Sequence, residues 1–143
     1  MNDDTIKLLK ECNSGCKSAT NSMEQVMPYI KNESLRELIT KYNDRHIHVG
    51  DTCHAILNSV NEDEKDPDSM AKIMAWFSVE MKLMINDDSS KIADIMIDGC
   101  NMGIKSLTKY LHKYKGADKD SIHLTEKLIL IEENFMHDLL EYL

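Results

Sequence analysis

Leu35, Ile39, Tyr42, His46, Val49, Cys53, Ile56 and Val60 follow one another at alternating spacings of four and three residues, without a break. At about 100° per residue this pattern keeps all eight on one stripe of a helix. A strand, whose faces alternate every second residue, cannot bury the same set. A long helix with one apolar stripe is stable in water chiefly by packing that stripe against other elements. The rest of the chain permits more helices. Five Gly and two Pro in 143 residues fall well below ordinary usage of roughly 7% and 5%, which argues against a many-turned β-sandwich or barrel. The length suits one domain, residues 1–143, with one continuous core.

Five helical segments are predicted, over about 5–30, 33–60, 68–85, 89–115 and 121–142. Asp4 is placed to cap the first, and Pro28 kinks or ends its last turn. Asn32 caps the second, or Ser34 does so in a capping box with Glu37. An acidic loop from Asn61 to Asp66 leads to Pro67, a suitable first residue for the third helix. Asp87 to Ser89 restarts the chain into the fourth, and Gly116 ends it as a left-handed C′ residue.

The chain also matches itself. Gly15-Cys16-Lys17-Ser18-Ala19-Thr20 aligns with Gly103-Ile104-Lys105-Ser106-Leu107-Thr108. One further residue of offset aligns Leu35 with Leu124, Ile39 with Leu128 and His48 with His137. Two helical hairpins of one pattern, joined by the third helix as a crossover, make a four-helix bundle. Gly15, Gly99 and Gly103 then read as points where the first and fourth helices approach closely. The third helix carries a methionine-rich stripe, Met70, Ile73, Met74, Phe77, Met81, Met84 and Ile85, suited to lying over the bundle.

Charge narrows the partners. Lys and Arg number 17 against 25 Asp and Glu, for a net charge of −8. No basic stripe offsets it, so nucleic-acid binding is not expected. No apolar run reaches the length of a membrane span and the start is acidic, so neither a membrane partner nor a signal peptide is expected, and a cytoplasmic location is. Cys12, Cys16, Cys53 and Cys100 do not form a secreted disulfide framework.

His46 sits in the middle of the second-helix seam. On the fifth helix Thr125, Leu128, Glu132, Phe135, Leu139 and Tyr142 form the matching stripe, flanked by Ile129 and Met136, with Glu132 near its centre. Hairpin and repeat arithmetic puts His46 and Glu132 within about one turn of the same layer. A carboxylate and an imidazole on facing helices build a metal site, to which His54 and Asp51, off the same seam, contribute if the bundle is rotated, or else a buried hydrogen-bonded pair. His48 and His137, four residues after Asp44 and Glu133, read as surface pairs. Cys12, Cys16 and Cys53 fall on or near core seams, Cys12 level with Cys53, either as buried apolar side chains or as a thiol site.

The runs Thr5-Ile6-Lys7-Leu8-Leu9-Lys10-Glu11-Cys12, Met70-Ala71-Lys72-Ile73-Met74-Ala75-Trp76 and Asp98-Gly99-Cys100-Asn101-Met102-Gly103-Ile104-Lys105-Ser106-Leu107 resemble uncharacterised bacterial ferritin-like four-helix-bundle proteins. The resemblance implies an all-α ferritin-like fold. Ferritins and rubrerythrins, the characterised proteins of that fold, hold two irons with a Glu on each of two helices and a Glu-x-x-His on each of the others. Here the first-helix seam offers Cys12, Cys16 and Met23, with Glu11 turned about 120° away. Asp98 points nearly opposite the core, and His137 comes five residues after Glu132. A complete di-iron centre is not expected, and one transition-metal ion, on His46, Glu132 and His54, is the most these residues offer. The expectation is a non-catalytic binding or structural bundle, self-associating as a homodimer or with a helical protein partner. The alternative is a degenerate mononuclear metal-binding protein with its site between the second and fifth helices.

Overall fold

The computed structural model describes residues 1–65 and 88–143, with Ala75 and Ser78 between them. Every regular element among the described residues is helical, with no strand. Among the described residues four α-helices are formed: α1 (Asp3–Val26), α2 (Glu33–Ser59), α3 (Ser89–Lys113) and α4 (Lys119–Leu139). Short 3-10 turns follow α1 at Met27–Tyr29, where Pro28 sits, and α4 at Leu140–Tyr142. The third predicted helix, its methionine stripe and the Pro67 and Asp87 boundaries lie outside the described residues, although Ala75 and Ser78 are helical.

Each helix begins at an Asn or Asp whose side chain accepts a backbone N–H left without an intrahelical partner. Asn2 accepts from Thr5, Asn32 from Leu35, Asp88 from Lys91 and Asp118 from Ser121, at 2.8 to 3.0 Å. Two predicted boundaries are thereby corrected. Asn2, not Asp4, caps α1, and Asp118 caps α4, which begins at Lys119, two residues before the expected Ser121. Of the two candidate caps for α2, Asn32 is used, and Ser34 instead hydrogen-bonds Tyr142.

Gly116 is also corrected. It has no positive φ, and α3 ends on Tyr114, whose N–H reaches the carbonyl of Tyr110. Gly116 meets the start of α1 instead: its N–H donates to Asp4 Oδ2 at 2.9 Å, and its carbonyl accepts from Asn2 at 2.9 Å. A Cβ there would lie 2.7 Å from the same Asp4 oxygen.

These contacts set the topology. The start of α1 meets the α3–α4 link, and Lys10 of α1 binds Glu62 just beyond α2 at 3.0 Å. At the other end, Ser34 of α2 meets Tyr142 after α4. So α1 runs antiparallel to α2 and α3, and α4 runs antiparallel to α2. The most extensive packing joins α1 to α2 and α3 to α4, while α1 also meets α3 and α4, and α2 meets α4. This arrangement of four helices is compatible with a four-helix bundle.

The seams follow the expected residues. Leu35, Ile39, Tyr42, His46, Val49 and Cys53 are buried on α2, but Leu57 then replaces Ile56, and Val60 is exposed. A straight α-helix drifts by about 20° per heptad from a strict repeat, and after three heptads the next residue faces inward. On α4 Thr125, Leu128, Glu132, Phe135 and Leu139 are buried as expected, joined by Ser121 and Ile131. Tyr142 is half-buried.

Candidate functional site

His46 and Glu132 meet in the core. His46 is 1% exposed and Glu132 6%, and His46 Nε2 hydrogen-bonds Glu132 Oε1. His46 Nδ1 lies 2.6 Å from the carbonyl oxygen of Tyr42, one turn earlier on α2. A carbonyl only accepts, so Nδ1 carries hydrogen. The Nε2 contact then needs one further proton, held by the imidazole or by the carboxyl, and in either case the pair is neutral as a whole. Burial works against the imidazolium, but the Glu132 carboxylate and the Tyr42 carbonyl outweigh it and raise the His46 pKa above its ordinary value.

The surroundings hold the pair in place. Phe135, one turn after Glu132 on α4, stacks on Tyr42 with ring centroids 4.6 Å apart and meets His46 edge-on at 6.5 Å. Tyr42 donates its hydroxyl to Asp138 of α4. Burial first, then that carboxylate, pushes its pKa up to about 12. Cys100 of α3 reaches Glu132, and burial together with this carboxylate pushes its thiol pKa well up. Gly103, one turn further on, leaves room for the carboxylate: a Cβ there would lie 3.2 Å from Glu132 Oε2.

This corrects the reading of the glycines. Gly103 faces Glu132 rather than a close crossing with α1. A Cβ on Gly99 would meet nothing within 4 Å among the described residues, and one on Gly15 would make only ordinary contacts with Leu107 and Leu128. The close approach falls at Gly50 instead, where a Cβ would lie 3.3 Å from that of Cys16.

Small residues here leave space instead of drawing helices together. Between α1 and α3 lies a mostly apolar cavity of about 360 Å³. Gly15, Ser18 and Ser22 line one wall, Gly99, Gly103 and Ser106 the other. His46, Glu132, Phe135 and Leu128 form the floor, Met23, Met96 and Met102 add flexible apolar surface, and Glu11 and Tyr110 also line it. Volume and lining both fall in the range of small-molecule sites. Glu11, turned away from the first-helix seam, thus lies along this cavity and pairs with Lys65. The cavity is not legible as such in the sequence. Its one signal is the run of small residues at helical spacing on two helices, which suits tight packing equally well.

His54 lies elsewhere. Two turns beyond His46, it is exposed and pairs with Glu64, which also binds Lys17. Of the three residues read as metal ligands, the fold brings His46 and Glu132 together and leaves His54 apart. The eight-residue step from position 46 to position 54 separates the two histidines by about 12 Å along the helix. Asp51 is exposed too. Among the described residues, no group of three or more His, Cys, Asp or Glu could hold a metal ion. His48, His112, His123 and His137 are exposed.

Cys12 contacts both Cys16 and Cys53 in the core, so the level pairing of Cys12 with Cys53 is present. Neighbouring thiols and burial push the Cys12 and Cys53 pKa values far up, and all four Cys are free and buried.

No family model, no curated protein and no solved structure matches the chain. Among the described residues, no helix is long and apolar enough to cross a membrane.

Proposed function

We propose that this protein is a non-catalytic, ferritin-like helical bundle that binds a small, mostly apolar molecule in the cavity between α1 and α3. The cavity itself carries the reading: about 360 Å³ of apolar space ending on a buried polar pair is the form of a ligand pocket. A merely structural polar layer has no need of open space beside it. The ferritin-like arrangement is supported by topology, because α2 ends beside the start of α1 whereas α3, antiparallel to α4, begins at the opposite end. The metal-binding alternative has less support, since only two of its three residues meet and the imidazole nitrogens are both engaged.

Gly99→Leu tests the proposal. The new side chain enters the cavity from a position where a Cβ has no neighbour within 4 Å among the described residues, and leucine favours the helix. The neutral fluorophore N-phenyl-1-naphthylamine should bind the native protein at one molecule per chain, and Gly99→Leu should abolish binding without lowering Tm. Equal binding by both proteins would overturn the assignment of the cavity.

A further inference from the structure

We infer that the ligand of this cavity is a neutral molecule with an apolar body and one hydrogen-bond donor, of the phenol or indole class, whose donor rests on Glu132. The inference depends on the cavity being a ligand site. It adds charge and polarity.

Charge is decided by what already faces the cavity. Both carboxylates in the lining have cationic or proton-bearing partners: Glu132 has His46, and Glu11 has Lys65. No Lys or Arg lines the described cavity. A ligand carboxylate would meet two carboxylates and, among the described lining residues, no Lys or Arg to receive it. A ligand ammonium would add an uncompensated positive charge beside a buried pair that is already neutral. A neutral ligand avoids both costs.

Polarity follows from Glu132. Its Oε1 is taken by His46, while Oε2 lies beside Gly103, where the absence of a side chain leaves it open to the cavity even with the Cys100 thiol against the same carboxylate. Whether the shared proton sits on His46 or on Oε1, Oε2 keeps its lone pairs and accepts, so the ligand group that meets it must donate. Phenol O–H and indole N–H both do so, and the rest of either molecule is apolar. The body fits the remaining lining, because Met23, Met96 and Met102 supply polarizable sulfur that packs well against aromatic rings. Gly103 is then a specificity residue, keeping the acceptor open to the cavity.

Displacement of N-phenyl-1-naphthylamine by phenol, toluene, benzoate and benzylamine at pH 7 tests this. Phenol and toluene have one shape and differ in the donor. Phenol should displace the fluorophore about tenfold more tightly than toluene, as expected for a hydrogen bond to a charged acceptor. That preference should vanish in Glu132→Met and in the double variant His46→Leu/Glu132→Met, which removes both polar partners and should therefore stay folded. Gly103→Ala, which keeps the pair but places a methyl group over Oε2, should weaken phenol more than toluene. Toluene binding as tightly as phenol, or a phenol preference that survives loss of Glu132, would overturn the donor assignment. Tighter binding of benzoate or benzylamine would overturn neutrality. In either case fluorophore binding sensitive to Gly99→Leu would leave the cavity reading standing, whereas failure of the fluorophore itself to bind would end both.

Discussion

Removing both members of the His46–Glu132 pair should harm the fold less than removing either one. In His46→Leu, Glu132 loses its partner at a position 6% exposed. Breaking a buried pair in this way costs about 3–5 kcal/mol. In Glu132→Met, His46 can stay neutral with Nδ1 still on the Tyr42 carbonyl, but Nε2 is left without a partner, at a cost of about 1–3 kcal/mol. Independent effects would make the double variant about 4–8 kcal/mol less stable than the native protein. The two residues share one contact, so they are not independent. Leucine and methionine roughly conserve the side-chain volumes, and replacing a buried pair by apolar residues is often neutral or stabilising by about 1–4 kcal/mol. The double variant should therefore match or exceed native stability, a coupling of several kcal/mol. Urea unfolding at pH 7 reads this as midpoints at a common slope. A double variant that loses the sum of the two single losses would refute the account of a neutral pair sharing one proton. The same series has a pH signature. Because the folded His46 pKa is raised, the stability it contributes is complete below the unfolded imidazole value of about 6.5 and is lost as pH rises through the folded value. Native stability should fall across that window, and that of the double variant should not.

Further outcomes follow from other positions. Gly99→Ala should stabilise by about 0.5–1 kcal/mol, the ordinary gain for a helix interior, whereas Gly103→Ala should gain less or lose stability because its methyl group crowds Glu132; equal thermal shifts would contradict the contact at 3.2 Å. Glu64→Gln, at a side chain 26% exposed, should cost only about 0.2–1 kcal/mol in urea titrations. Bonds from Lys17, then His54, lower the Glu64 pKa, so its contribution is present above the unfolded carboxylate value of about 4.3 and lost as pH falls through the lowered one. The four thiols, all buried, should react with iodoacetamide at pH 7.5 only as fast as the protein unfolds; prompt native labelling of Cys12, Cys53 or Cys100 would contradict their raised pKa values.

The sequence by itself determined which helical faces turn inward. The seam through Leu35, Ile39, Tyr42, His46, Val49 and Cys53 is a local periodicity, and burial follows it because each helix has one apolar stripe to hide. The juxtaposition of His46 with Glu132 was legible for the same reason, since hairpins with short links leave little freedom of register. Other features depend on interactions that no local pattern carries. Leu57 displaced Ile56 through helical drift over several turns, and Gly116 became a contact for Asp4 rather than a left-handed stop. His54 looked close to His46 along the chain, but two turns of helix and the carboxylate of Glu64 hold it at the surface. The cavity was hidden most completely. Gly15, Ser18, Gly99 and Gly103 mark either helices in contact or helices with space between them, and only the packing of α1 and α3 over α4 decided that this protein keeps the space.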